Sequence, residues 1–419
     1  MPWCNALNNP RKNVIPILGL LAVVAAFVAG NEARTRQDVG HSVSSLQNLG
    51  VRSIIAAKDD VRPVGEAEFF FQLTLLLERE YVDQVDDEMS LANGAIRGMV
   101  NGLLEPESRY LDEVEFKAHM AATEGKVEGV GIETTLRYDA ETLKLARESL
   151  RKADPLLMLP DMLVTAVFPG SPAEAAGIRA GDRVIKLDGK WVLSHADIKA
   201  IREVRERAAK GQATPGEVTQ SRKDFQAKAD DAKLATKARE SLLTGTGKTH
   251  EVSVVRDGKR LDFKVKTGVT PRPPVTKSAD GTYRLQFVRG AGAALSEALD
   301  SGATVIDLRQ SGMGSPPELI AALSAAAPAG GYGTLSAGMT GSPRPLTVES
   351  GRERAPLTLI VDETTQGTAE IFALALEKAG KARLSGKSAG RPLYVETNSL
   401  PDGCGYTLLT ARWATEDGK

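Results

Sequence analysis

An uncharged run of 17 residues, Val14 to Gly30, follows Arg11 and Lys12 and reads as an export signal or a retained membrane anchor, with the anchor favoured. Residues 31–64 are polar and mixed in charge, the pattern of a linker. Phe70, Phe71, Leu73, Leu75, Leu76, Leu77 and Tyr81 then give a helix with a broad apolar face, and Leu91, Ala95, Ile96, Met99 and Leu103 give a second. These predict a small helical domain over residues 65–126. From Gly129 the period changes to that of strands. Met162–Phe168 ends at Pro169-Gly170, and Ser171-Pro172 opens a short helix that Gly177 closes. Arg183–Leu187 turns at Asp188-Gly189 into Lys190-Trp191-Val192, and Glu251–Val255 and Leu261–Val265 flank the Asp257-Gly258 turn. Two charged stretches interrupt this region, residues 137–159 and 208–248, the second expected as an exposed helical insertion. Beyond Pro271, Pro273 and Pro274, strands (284–288, 303–308, 357–361, 383–385) alternate with helices (293–299, 317–325, 369–378). That alternation predicts an α/β layer on a mainly parallel sheet. The fold class is therefore mixed α+β and α/β, multidomain. The expected units are 1–30, 31–64, 65–126, 127–270 and 271–419.

Composition narrows the chemistry. The chain has 419 residues with 53 Lys+Arg against 54 Asp+Glu, so no global positive field recruits nucleic acid, and 5% aromatic residues offer little base stacking. The histidines His41, His119, His195 and His250 show no metal-ligand spacing, and Cys4 and Cys404 match no metal or redox pattern. No metal and no cofactor are expected. On the export reading the anchor would separate Cys4 from Cys404, so the two would not pair.

Three ordered stretches carry a family likeness. Tyr81-Val82-Asp83 with Glu105–Asp112 resembles the N-terminal helical region of the carboxyl-terminal processing (tail-specific) serine peptidases. Gly170–Ala173, Ala176–Ile178 and Ala180–Asp182 through Asp188-Gly189 resemble the PDZ domain of those enzymes. Ile306–Arg309, Glu370–Ala373, Leu400–Gly403 and Leu408–Arg412 resemble their catalytic core. The resemblance implies capture of protein C-terminal tails or unfolded peptides, with the Gly129-Val130-Gly131-Ile132 loop as the carboxylate-binding element.

It also implies a serine nucleophile with a lysine base, a glutamine that orients the lysine, and backbone amides for the oxyanion. Counted from Glu370, the nucleophile position falls on Gly367. The lysine position falls on Pro392 and the glutamine position on Glu396. Arg391 stands one place before the lysine position, and a guanidinium cannot serve as base. In the oxyanion loop Met313 stands where a glycine is expected, followed by Gly314. The expectation is an exported peptidase relative of the periplasm or cell envelope, catalytically inactive and binding tails. Two alternatives stay open: an active peptidase with a rearranged site using Thr365, Thr368 or Lys387, and a structural subunit of an envelope complex. A homo-oligomer is open as well.

Overall fold

The structure is a computed structural model that describes residues 66–80, 88–103, 105–138, 143–144, 159–337 and 342–415. The apolar run 14–30, the linker and most of the 137–159 stretch lie outside those residues. No described helix is long and apolar enough to cross a membrane. The described residues fall into two units, those up to 102 with 143–144, and those from 103 to 138 with those from 159 onward. In the first, helices α1 (Glu66–Glu80) and α2 (Glu88–Gly102) follow the two apolar periodicities, and Phe71, Leu75 and Met99 are exposed on them.

The second unit begins with β1 (Arg109–Leu111), α3 (Glu113–Thr123), β2 (Lys126–Gly129) and β3 (Ile132–Arg137). Asp112 caps α3, its carboxylate accepting the Glu115 N–H at 2.9 Å. Strand β4 (Asp161–Val167) pairs antiparallel with β3. The short helix α4 (Pro172–Ala176) is built as its sequence predicts, with Ser171 accepting the Glu174 N–H at 3.1 Å and Gly177 left-handed at φ 89°. Strands β5 (Arg183–Leu187) and β6 (Lys190–Val192) join through Asp188-Gly189, where φ is 54° and 80°. Positive φ at both turn residues matches the right-handed twist of a hairpin.

Helices α5 (His195–Ala209) and α6 (Pro215–Asp230) come next, then β7 (Ala232–Lys233), α7 (Ala235–Leu243), β8 (Thr249–Arg256), β9 (Lys259–Lys266) and β10 (Gly268–Pro271). Residues 208–248 were expected to be exposed throughout, and they divide instead. Helix α6 has no buried residue, whereas α7 buries Ala235, Ala238, Arg239 and Leu242. Ala235, Ala238 and Leu242 belong to the same apolar cluster as Val130, Ile132, Met162 and Val254. The i, i+3, i+7 spacing of those three is a core face that the surrounding Lys and Glu residues hide in a composition count.

The C-terminal part forms two sheets. Strands β11 (Val275–Lys277), β12 (Tyr283–Leu285), β13 (Val305–Asp307), β16 (Leu357–Ile360) and β17 (Ala382–Ser385) lie in that order, with only the β11–β12 pairing antiparallel. Helices α8 (Ala291–Asp300), α9 (Pro316–Ala326) and α10 (Gly367–Lys378) contribute to a core in which Phe287 and Phe372 meet edge to face at 5.5 Å. The pattern reading did not foresee the second, antiparallel sheet. It joins β14 (Gly330–Ser336), β15 (Arg344–Val348), β18 (Leu393–Ser399) and β19 (Gly405–Ala414) to the distant β1. The Arg109↔Thr407 register ties β1 to the chain end.

Candidate active site

Helix α10 starts at the elbow after β16. Gly367, its first residue, has φ +59°, a conformation that costs an L side chain free energy. Its N–H donates to Arg391 O at 2.9 Å. A Cβ added there would come within 2.9 Å of both Met313 Cε and Met313 O. The methionine therefore lies over the place from which a nucleophilic side chain would project.

Met313 belongs to the loop after β13, where Gln310, Gly312 and Gly314 all have positive φ. Ser311, fully buried, anchors the loop by hydrogen bonds within reach of Leu285 O and Leu308 O. The Met313 carbonyl accepts the Thr368 N–H at 3.0 Å, which is the amide following the elbow residue. The Met313 N–H donates to the Glu133 carboxylate at 3.2 Å. The amides of Thr368 and Met313 are thus both already bonded. Gly314 is packed rather than open: a Cβ there would meet Phe287 Cβ at 2.7 Å and Thr368 Cβ at 2.9 Å.

Glu133 comes from β3, about 180 positions earlier in the chain. Burial pushes its carboxyl up, opposed by the charge of Arg272. Arg272 is itself buried, which lowers it to about 10. It donates to Gln286 Oε1 and to Ser311 O at 2.8 Å, and lies 4.0 Å over the Phe168 ring. Gly312 has φ +69°, which favours glycine, and a Cβ there would press on Glu133 Oε2 at 2.3 Å.

The turn opposite the elbow is held by Glu370, fully buried on α10. Its carboxylate accepts from Ser388 Oγ, from Gly390 N at 2.7 Å and from Arg391 N at 2.6 Å. The side chain that this turn sends to the elbow is that of Arg391. Its guanidinium donates to Gln366 Oε1 at 3.3 Å and to Glu107 Oε1 at 3.0 Å. Pro392 contributes only its carbonyl, which accepts the Trp413 N–H at 3.0 Å. Glu396, on β18, pairs with Arg344 at 3.2 Å. Gly367, Met313 and Gly314 are therefore brought together, while the Pro392 and Glu396 side chains make no hydrogen bond to the elbow among the described residues. Thr365 and Thr368 are buried at 0% and 2% exposure, and Lys387 is exposed.

In the strand-rich region, α7 flanks β3. The other edge of β3 carries no strand among the described residues. Within the glycine loop, Gly129 N donates to Gly245 O at 3.2 Å and Val130 N to Leu242 O at 2.8 Å. Gly129 and Gly131 have φ +86° and +79°, and a Cβ on either would strike Leu242 O or Ser171. Close packing thus accounts for both glycines. Composition gave no signal for Glu133. Gly390-Arg391 is the local signal that would have placed Arg391 at the turn.

A PDZ-like sandwich joined to an α/β core with a strand-to-helix elbow defines a peptidase-type architecture, whatever chemistry the elbow retains. Residues 288–419 match the family described as Peptidase family S41, residues 163–208 the PDZ domain, and residues 42–114 the activating protease CtpB N-terminal domain. The chain is homologous to the carboxyl-terminal processing proteases, and its C-terminal third matches the S41 peptidase family. It is 24% identical over 354 residues to the carboxy-terminal processing protease CtpA of Bacillus subtilis, covering 82% of this chain and 64% of that one. A probable CtpA-like serine protease of Staphylococcus aureus (strain COL) is also 24% identical over 354 residues, covering 82% of this chain and 60% of its own. The chain thus spans about three-fifths of the length of these relatives. The photosystem II D1 C-terminal processing protease shares the fold with a TM-score of 0.52 at 20% identity, over 84% of this chain and 88% of that one.

Proposed function

We propose that this chain is an exported homologue of the carboxyl-terminal processing peptidases that binds protein tails and does not cleave them. The observation that carries the reading is the elbow. Gly367 offers no nucleophile, Met313 covers it, and the Thr368 and Met313 amides are bonded to Met313 O and Glu133. Arg391 supports it further, because the cation facing the elbow cannot give up a proton near neutral pH. Residues 127–270 are the binding module on this reading. A tail would add beside β3 against α7, as PDZ ligands do. Residues 271–419 are a scaffold that no longer hydrolyses.

The test incubates the purified protein with an unfolded protein and C-terminally varied peptides, with products read by mass spectrometry. The natural chain should leave every peptide bond intact while retaining free-acid peptides in a binding assay. Cleavage by the natural chain, abolished by changing Thr365, Thr368 or Lys387, would overturn the loss of catalysis. Failure to bind any tail would overturn the binding function.

A further inference from the structure

The glycine loop carries a difficulty for tail binding, because two of its amides are already bonded to carbonyls at the end of α7. A cavity of about 120 Å³ at the loop end of β3 offers another way to hold a terminus. Its apolar wall comes from Ala118 and Ala122 of α3, Val127, Ile132, Leu243 and Val288. The wall accepts a short apolar side chain and rejects a charged one.

The polar groups of the cavity are nearly all spoken for. Glu115 pairs with Arg239 at 3.7 Å, Glu128 accepts the Gly245 N–H at 3.4 Å, and Glu133 accepts the Met313 N–H. His119 Nε2 lies 2.9 Å from Thr397 Oγ1, and Arg272 is held by Gln286 and Ser311. Burial and the charge of Arg109 push His119 down to about 3, so its ring is neutral at physiological pH. Two groups stand apart. Arg109 on β1 lines the cavity with no hydrogen bond or ion pair among the described residues. Thr134 is 7% exposed, and its buried hydroxyl has no partner. An unpaired guanidinium and an unsatisfied hydroxyl beside an apolar wall are complementary to a terminal carboxylate with an apolar side chain.

We propose that the last residue of a bound tail enters this cavity, its carboxylate held by the Arg109 guanidinium and the Thr134 hydroxyl in place of the Gly129 and Val130 amides. The inference rests on the tail-binding reading and specifies its ligand: a free C-terminus ending in a short apolar residue. It also gives β1 a task, since that strand carries Arg109 to the cavity from outside the β3–β10 region.

Fluorescein-labelled decapeptides ending in Leu-Ala-Ala, as free acids and as carboxamides, would be titrated with the full chain by anisotropy. The natural chain should prefer the acid by about tenfold or more, the range of a charge-assisted hydrogen bond. Arg109→Gln should bring the acid-to-amide ratio close to one, Arg109→Lys should keep part of the preference, and Thr134→Val should weaken acid binding several-fold. The readout is the ratio, which a merely loosened fold leaves unchanged. If Arg109→Gln does not fold, an undiminished ratio in Arg109→Lys and Thr134→Val together overturns the inference. A full acid preference in folded Arg109→Gln overturns it as well, and returns the carboxylate to the loop amides. Equal binding of acid and amide by the natural chain overturns it too. If neither peptide binds the natural chain, the tail-binding reading itself fails.

Discussion

The PDZ region and the α/β core differ in how the polar groups at their candidate sites are engaged. Beside β3 the structure leaves a strand edge, a flanking helix and a cavity with unpaired Arg109. At the elbow every comparable group is engaged: Met313 over Gly367, the Thr368 amide on Met313 O, and Glu133 on the Met313 amide. One site holds unsatisfied polar groups, which a ligand can satisfy. The other is closed upon itself, and a carboxylate from β3 helps to close it. On the tail-binding reading proposed above, scaffold and chemistry are separable. A buried core is maintained by packing of many residues, whereas hydrolysis depends on a few side chains that packing does not need.

The largest effect should come from the core. Phe372→Ala removes a fully buried ring from contact with Phe287 and should cost about 3–5 kcal/mol, read as a lower calorimetric transition. Its counterpart in the PDZ region is Asp182→Ala. Asp182 is fully buried, accepts the Arg179 N–H and is bonded twice by Arg256 at 2.6 and 2.7 Å. Losing it should cost about 3 kcal/mol. If the two variants lower one common transition, the regions unfold together; separate transitions would show that they are independent.

Gly367→Ser should be smaller, about 1–2 kcal/mol, from the positive φ and the contact with Met313. Adding Met313→Gly should recover part of that loss, and independent losses in the double variant would mean that Met313 does not cover the elbow. Restoring a nucleophile alone should not restore cleavage, since Arg391 still faces the elbow. Gly367→Ser with Met313→Gly and Arg391→Lys is the combination that would reopen it, and it can be compared with a Pro392→Lys, Glu396→Gln version.

The Glu133 lock has a pH signature. Burial raises this carboxyl above its unfolded value, so the folded chain holds the proton more firmly. Its contribution is most favourable below the ordinary carboxylate range and declines as pH rises toward the raised value. Glu133→Gln should flatten that slope in melting temperature between acid and neutral pH. An unchanged slope would mean that another group sets it. The smallest effect is expected for Lys223→Glu, an exposed position on α6, within about 0.5 kcal/mol.

Much of the fold is legible in the chain because its signals are local. Ser171-Pro172 to Gly177 caps a helix, Asp188-Gly189 and Asp257-Gly258 turn hairpins, and the three core helices fall where their periodicities put them. The antiparallel sheet through β14, β15, β18 and β19 was hidden, because pairing β1 with β19 joins residues nearly 300 positions apart. Helix α7 was hidden because the charged residues among and around it mask the Ala235, Ala238 and Leu242 stripe.

The site divides the same way. Sequence by itself determined that residue 367 is a glycine with no side-chain nucleophile and that residue 313 is a methionine, because side-chain chemistry is a property of the residue. Counting could not decide which residue of the 386–393 turn faces the elbow. That was settled by Glu370, whose carboxylate takes the Gly390 and Arg391 amides and so aims Arg391 inward. Nor could any local pattern show that Glu133 would reach the Met313 amide or that Arg109 would have no hydrogen-bond or ion-pair partner among the described residues. Hydrogen bonds between residues far apart in the chain exist only once packing has brought their donors and acceptors within about 3 Å, and that proximity is a property of the tertiary structure alone.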